Sequence, residues 1–389
     1  MAEQYWYEDN AAGTSADNTS HGATTGEAFK TLQYAADILV PGNTVNGVVV
    51  TLPYTIVCKG GVTETFTSSI DIDTNAGTGD STRITFMADR FGEHFGVVGE
   101  SKILVSTGYV FAYLSKSYLT IRGYEIVITT GGRALSCSNT YNLIIEECWI
   151  HDFAATNTNG YENYPIVING GSPTHYTSST APIIRNNKIC NITSVVNYQT
   201  NCAILIQEAA YVYLYNNAIH NITTTSSIDT KEMGGIVVSS TTAHPTTIVL
   251  KNNIISKCSY QLIKFVWADL VSNNTLIADN NDYYHVGTTV HYLGLTVKNT
   301  GANAVSYAAL TDWVGAGAPG NGQEVLTIET LPQFESVTGT TRASYKIQAT
   351  SPCIDKGIAG LVTVDNYERP RLPGSCDIGA YQYLEARVS

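Results

Sequence analysis

Along VYLYNNAIHNI (Val212 to Ile222), apolar residues stand two apart, two asparagines interrupt them, and the apolar pattern then resumes. The same figure recurs as APIIRNNKICNI (Ala181 to Ile192), TIVLKNNIISKC (Thr247 to Cys258) and YNLIIEECWIHDF (Tyr141 to Phe153), with a fainter copy in YLTIRGYEIVIT (Tyr118 to Thr130). Aligning the copies superimposes Ile126, Ile150, Ile189, Ile219 and Ile255, with Ile121, Ile145, Ile184, Leu214 and Leu250 five residues upstream. Apolar positions two apart are one face of a strand, because successive side chains point to opposite sides. The polar pair marks a bend, so the repeating unit is predicted as strand, bend and strand.

Successive copies are 24, 39, 30 and 36 residues apart, counted between the aligned isoleucines. Units of this size with variable insertions predict a solenoid whose extra residues project as loops. Strands coiling in one direction pair in parallel, each coil supplying hydrogen-bond partners to the next. Ile126, Ile150, Ile189, Ile219 and Ile255 are then expected to stack as an interior column. Asn187, Asn217 and Asn253 are expected to stack at one bend, each amide bonding its neighbours above and below. Asparagine also tolerates the positive φ that such bends require. Tyr124 and Cys148 occupy the same register, so this asparagine ladder is expected to be short. His151 and His220, one residue beyond the aligned isoleucine, point outward in this scheme and read as a surface ladder rather than a metal site.

GEAFKTLQYAADILVPGNTV departs from the strand pattern. Phe29, Leu32, Ala36 and Leu39 fall at helical spacing and Pro41-Gly42 stops them, which predicts a short helix covering the open end of the solenoid. The expected division is 1–45 as N-terminal strand, loop and capping helix, 46–285 as coils, and 286–389 as a less regular closing segment packed on them.

Composition sharpens this reading. Only 14% of the 389 residues are charged, with 25 Tyr among them, which favours strands over helices. The formal charge of −12 argues against nucleic acid as a partner, since phosphate binding depends on Lys and Arg. No apolar run reaches the roughly 18 residues of a membrane span. MAEQYWYEDN lacks a charged-then-apolar signal region, so the chain is expected either to be made without one, as for a virion component, or to be a mature form placed outside the cell or on its surface. None of the eight cysteines forms a CxxC pair, which disfavours a clustered zinc site.

YWYEDNAAGTSADNTSHGATTGEAFKTLQYAADILVPGNTV resembles the opening of right-handed parallel β-helix proteins of the polysaccharide-lyase-like (pectate-lyase-like) superfamily. The later segments YKIQATSPCIDKGI and VTVDNYERPRLPGSCDIGAYQY resemble that group's closing motifs, SPxID followed by DIGAYxY. The resemblance implies an all-β fold, a single-stranded right-handed parallel β-helix with an N-terminal helical cap. It leaves function open, because the superfamily holds lyases, hydrolases, adhesins and phage spikes. It also implies that the segments of Cys353 and Cys376 pair, so that the two cysteines either form a disulfide or remain separate buried thiols.

A lyase of this shape needs a Lys or Arg to take the proton α to a uronate carboxylate. It also needs something, often Ca²⁺ held by acidic side chains, to stabilise the enolate. Lys188, Lys251, Lys257, Lys264 and Arg185 lie on the coils. The acidic candidates are Glu146, Glu147, Asp152, Glu208, Asp269, Asp279 and Asp282, and no acidic cluster recurs at one register with a lysine one coil away. Glu146, Asp152 and Glu208 offer carboxylates for a glycosidase pair, but no spacing singles two of them out. DIDTNAGTGD (Asp71 to Asp80) lacks the Gly and Glu of an EF-hand loop. Metal binding is therefore not expected, apart from Ca²⁺ should the protein be a lyase.

Tyr211, Tyr213 and Tyr215 alternate with Val212 and Leu214, so they face outward if the aliphatic residues fill the interior. Such a row is either a sugar-stacking or protein-contact surface or a structural aromatic ladder. Tyr161, Tyr164 and Tyr176 fall in or beside the longest insertions and join it as candidate contacts. Two functions follow as expectations. The first is a non-catalytic structural or adhesive protein, such as a phage spike, fibre or decoration protein. Its partners would be cell-surface polysaccharide or other virion or surface proteins, with homotrimeric assembly in view. The second is a polysaccharide lyase or glycoside hydrolase acting on an extracellular polysaccharide.

Overall fold

Each circuit of the chain lays down one strand in each of three sheets, and successive circuits stack in parallel. The computed structural model describes residues 3–10, 16–66, 70–71, 77–105, 108–114, 117–129, 132–155, 164–170, 176–194, 201–208, 211–224, 233–240, 246–259, 261–267, 275–285, 293–297, 305–307, 326–337, 341–374 and 376–383. The first sheet runs through Gln4–Glu8, Tyr54–Lys59, Ile84–Asp89, Leu119–Arg122, Ile144–Glu146, Ile183–Arg185, Tyr211–Tyr215, Thr247–Lys251 and Thr275–Asp279. The second extends from Thr63–Phe66 to Asp282–Tyr284. The third runs from Ile70–Asp71 to Leu293–Val297, where Val305–Tyr307 adds an antiparallel strand. The fold is a right-handed parallel β-helix. The predicted strand–bend–strand unit is two-thirds of a coil. The third strand, such as Asn201–Gln207 or Met233–Ser240, lacks the polar pair that marks the others.

The isoleucine column forms as the alternation requires. Ile126 pairs with Ile150, Ile150 with Ile189, Ile189 with Ile219 and Ile219 with Ile255, and all five are fully buried. Truncating a column member to alanine is expected to cost about 2–5 kcal/mol, because stacked neighbours cannot collapse into the gap. At the N-terminal end the helix Leu32–Ile38 lies beneath the first coil. The Thr31 hydroxyl accepts from the Tyr34 amide, and Phe29, Leu32, Ala36 and Leu39 are buried.

The corner between the first and second sheets explains why asparagines come in pairs. The second member of each pair builds the interior ladder. The Asn187 side-chain amide donates to Asn217 at 3.1 Å, Asn217 donates to Asn253 at 3.0 Å, and Asn253 donates to Asn281 at 3.2 Å. Asn281 extends the ladder one coil beyond the predicted set, and at the other end Asn187 accepts from the Cys148 amide at 3.0 Å. The positive φ belongs to the first member instead. Asn186, Asn216, Asn252 and Asn280 all have φ between 53° and 59°, with Glu147 and Gly123 in the same place on earlier coils. Their side chains point outward to the C-terminal segment. Asn186 donates to Val364 O at 2.7 Å, Asn252 to Ile358 O at 2.9 Å and Asn280 to Lys356 O at 2.7 Å. One residue makes the bend and holds the outside, and the next holds the inside.

The described residues between 326 and 383 cover the outer face of the second sheet, and among them no regular strand forms. Phe334, Tyr345, Ile347, Ile378 and Tyr381 pack on Trp149, Cys190, Ala218 and Ile254. The buried Arg342 guanidinium pins this cover. It reaches the Glu100 carboxylate at 2.6 and 2.8 Å, the Gly123 carbonyl at 3.0 Å and the Asn366 side chain at 3.0 Å.

The structure overturns one expectation and decides between two alternatives. His151 and His220 point away from the coil interior but are buried, and Cys190 stands between them in register, so they form no surface ladder. The segments of Cys353 and Cys376 do meet, through Ile378 N to Cys353 O at 3.0 Å, yet both cysteines are free. The Cys353 thiol lies 3.1 Å from an Asp282 carboxyl oxygen, whereas the Cys376 sulfur faces the Arg371 guanidinium at 3.4 Å. The sulfurs turn to different partners, and no disulfide joins them.

Candidate functional site

Among the described residues the outer face of the first sheet is the more open one, with Tyr5 exposed and Arg185, Tyr213 and Lys251 partly so, although Val57 and Thr120 on it are buried. Tyr211, Tyr213 and Tyr215 stand on it, half-exposed, between the inward Val212 and Leu214. Their ring centroids are 5.4 and 5.5 Å apart and tilted, an offset arrangement that aromatic pairs favour. The Tyr213 hydroxyl donates to Ser178 O at 3.0 Å, which fixes the middle ring. Burial, followed by the neighbouring phenols, raises the pKa of Tyr213 and Tyr215 above the ordinary value. Tyr213 and Tyr215 therefore present neutral rings and hydroxyls and offer no phenolate to act as a base.

Beside the row runs a charged column. Strand register places Arg122, Glu146, Arg185, Tyr215, Lys251 and Asp279 one after another across the sheet. Arg122 bonds Glu147 at 3.1 Å and Glu368 at 2.9 Å, and the Arg185 Nε donates to Glu146 at 2.7 Å. Glu146 and Glu147 are thus consumed in ion pairs instead of facing a gap across which a glycosidic bond could sit. Asp152 bonds His151 at 2.9 Å, and Asp279 accepts from the Leu326 amide at 2.8 Å. Asp282 is sealed under the cover, where burial pushes its carboxyl up to about 7.

Lys188 is not available as a base either. Its ammonium sits 4.3 Å from the Trp149 ring and 3.6 Å from the Tyr345 ring, and it donates to the carbonyls of Thr341 and Arg342 at 3.3 and 3.4 Å. Burial lowers its pKa to about 7. This lysine ties the cover to the second sheet. Lys251 stays on the open face beside Tyr215. Asp269 and the Lys264 side chain lie outside the described residues. So do residues 72–76 of the Asp71–Asp80 loop. Among the described residues no group of three or more His, Cys, Asp and Glu side chains is placed to hold a cation.

The six tyrosines proposed as contacts divide. Tyr211, Tyr213 and Tyr215 come together as a row. Tyr164 is fully buried with Val167, Cys202, Leu205 and Val237, on the outer side of the third sheet. Tyr176 is buried as well, its hydroxyl accepting from the Thr140 amide at 3.0 Å and donating to Asn169 O at 3.3 Å. Both are structural, because a ring beside an insertion can pack under it as readily as project from it. Tyr161 lies outside the described residues. The sequence reading missed the outward asparagines Asn186, Asn216, Asn252 and Asn280, although their pairing with the ladder residues was the available signal.

No family model matches the chain, and no curated protein matches it. Among solved structures it is similar to a rhamnogalacturonan lyase, at 12% identity and a TM-score of 0.43, covering 80% of this chain and 91% of that one. A pectate lyase, Pel9A, gives 12% identity and a TM-score of 0.43 over 99% and 97% of the two chains. A complex of XylC with xylose gives 13% identity and a TM-score of 0.41 over 76% and 70%. At these values the likenesses carry nothing about chemistry, and the architecture rests on the strand order and register given above.

Proposed function

We propose that the protein is a non-catalytic, polysaccharide-binding β-helix whose open first sheet is the binding face. The row of Tyr211, Tyr213 and Tyr215 carries this reading. Three rings, held by the strand and half-exposed, offer a stepped aromatic path on which sugar rings stack while the hydroxyls and Lys251 meet sugar oxygens. A role as a virion or cell-surface component, alone or as a homotrimer, belongs to the same reading. Affinity electrophoresis of the wild type and Tyr213→Ala in gels cast with soluble polysaccharides tests it. The wild type is expected to be retarded by at least one polymer and the variant by none. Equal retardation of both proteins would overturn it.

One observation favours a polysaccharide lyase as the second reading. Arg185 and Lys251 flank Tyr215 on the open face and are the residue types that remove a proton α to a uronate carboxylate. Against it stands the tight pairing of Arg185 with Glu146. Incubation with pectate, alginate and chondroitin, followed by the ultraviolet absorbance of unsaturated uronate products, decides between the readings. Steady product formation that Lys251→Met abolishes would replace the binding-only assignment.

A further inference from the structure

The open face has a second aromatic cluster at its opposite end. On the first strand, Tyr5 and Tyr7 alternate with the buried Trp6, the same construction as the Tyr211–Tyr215 row. The loop from Arg90 to Gly99 folds back over this strand. Asp89 holds it by accepting from the amides of Glu93, His94 and Phe95 at 2.8, 3.1 and 2.8 Å. Gly92 and Gly96 take φ of +71° and +70° to make the loop's turns. Gly60 lets it lie close, since a Cβ there would meet the carbonyls of Gly99 and Val97 at 2.7 and 2.9 Å. The loop delivers the His94 ring 5.0 Å from Tyr5 and 5.9 Å from Tyr7, and the Phe95 ring edge-on to Tyr7 at 5.7 Å. Tyr5 remains 41% exposed, so the cluster has a free surface.

Resting on the reading of the open sheet as a glycan-binding face, we propose that Tyr5, Tyr7, His94 and Phe95 form a second carbohydrate site, which takes a neutral segment of the same polysaccharide chain. Three observations select that occupant. Tyr5 and Tyr7 repeat the outward alternation of the tyrosine row on the same sheet, with the His94 ring in contact with both. Glu3, which accepts from the Tyr5 hydroxyl at 3.3 Å, and Glu93 supply carboxylate acceptors for sugar hydroxyls and repel a uronate. Six parallel strand steps separate the two clusters along one half-open face, roughly 29 Å at the usual strand spacing, so an extended chain reaches both. Two linked contacts convert weak stacking into avidity.

The test compares the wild type, Tyr5→Ala/His94→Ala and Tyr213→Ala in dextran, galactomannan, mixed-linkage β-glucan and polygalacturonate. Calorimetry with trisaccharide fragments of any retarding neutral polymer accompanies it. Each variant is expected to lower affinity for the long neutral polymer by roughly a hundredfold, through loss of linkage. The trisaccharide is expected to bind the wild type at two sites and either variant at one. A Tyr5→Ala/His94→Ala protein that binds like the wild type, while Tyr213→Ala does not, overturns the second site and leaves the first. Loss in Tyr5→Ala/His94→Ala alone upholds this site and removes the tyrosine row. Wild-type retardation by polygalacturonate alone, or by none of the four, overturns the proposal. So does a concentration-dependent dimer in sedimentation that the double variant abolishes. Should the double variant melt early, Tyr5→Ser alone, at an exposed position, serves in its place.

Discussion

The outer faces of the first and second sheets are built from the same alternation, and they meet opposite surroundings. On the second sheet, Lys188, His220 and Trp149 point outward and are covered by residues 326–383. On the first, Tyr213, Arg185 and Lys251 point outward and stay open. Outward is therefore not the same as exposed. Polar residues on the covered face have been drawn into the stability of the protein, whereas on the open face Arg122, Glu146 and Arg185 pair with one another or their neighbours and the tyrosine row and Lys251 keep partial exposure.

Breaking the cover should have the largest effect. Arg342→Met leaves Glu100, the Gly123 carbonyl and Asn366 without their shared donor, and is expected to cost about 3–5 kcal/mol, read by urea denaturation and by early proteolysis within 326–383. Asn217→Ala interrupts the corner ladder beneath both faces. It removes the Asn217 oxygen that accepts from the Asn187 backbone and side-chain amides and the side-chain donor to the Ile184 carbonyl, at about 1–3 kcal/mol by the same measurement.

Acid sharpens the contrast between the faces. Burial, then the nearby Lys257 and Lys188, lowers the His220 pKa to about 3 from the ordinary 6.5. The folded state then binds fewer protons than the unfolded state between these values, so stability falls as pH drops through that window. The slope approaches ~1.4 kcal/mol per pH unit for one proton. Asp282, raised by burial to about 7, opposes this, because its folded-state proton is retained as pH falls. The expected observation is a difference: urea midpoints of the wild type fall more between pH 6.5 and pH 5 than those of His220→Asn, since the variant lacks the group that must charge.

On the open face, Tyr213→Ala is expected to change stability by no more than about 0.5 kcal/mol while abolishing retardation by polysaccharide. The smallest effect is none at all: with Cys353 and Cys376 both free, dithiothreitol should leave the melting temperature unchanged.

The interior was legible because its physics is local. A column of isoleucines and a column of asparagines recur wherever the chain passes the same corner, and the period-two alternation separates them from their outward neighbours. The third sheet escaped because runs such as CAILI in Asn201–Gln207 carry no corner residue to mark their register. The burial of Lys188 and His220 escaped for a different reason. Their cover comes from far along the chain, as in Lys188 to Arg342 across 154 positions, and no local pattern records that encounter. The same holds for Tyr164 and Tyr176, whose aromatic character fits a buried ring as well as an exposed one. The tyrosine row was legible in outline, because its alternation with Val212 and Leu214 fixes its side of the sheet.

The outward asparagines carry one more consequence. Because Asn186, Asn252 and Asn280 each clasp a particular carbonyl of the C-terminal segment, that segment works as a gauge for the number of turns beneath it. Duplicating or deleting a turn between residues 186 and 280 would put these clasps out of step, and the links of Arg90 to Asn366 O and of Arg342 to Glu100 and Gly123 carry the same restriction further back, so lengthening of the solenoid by internal duplication is confined to the turns that precede Arg90.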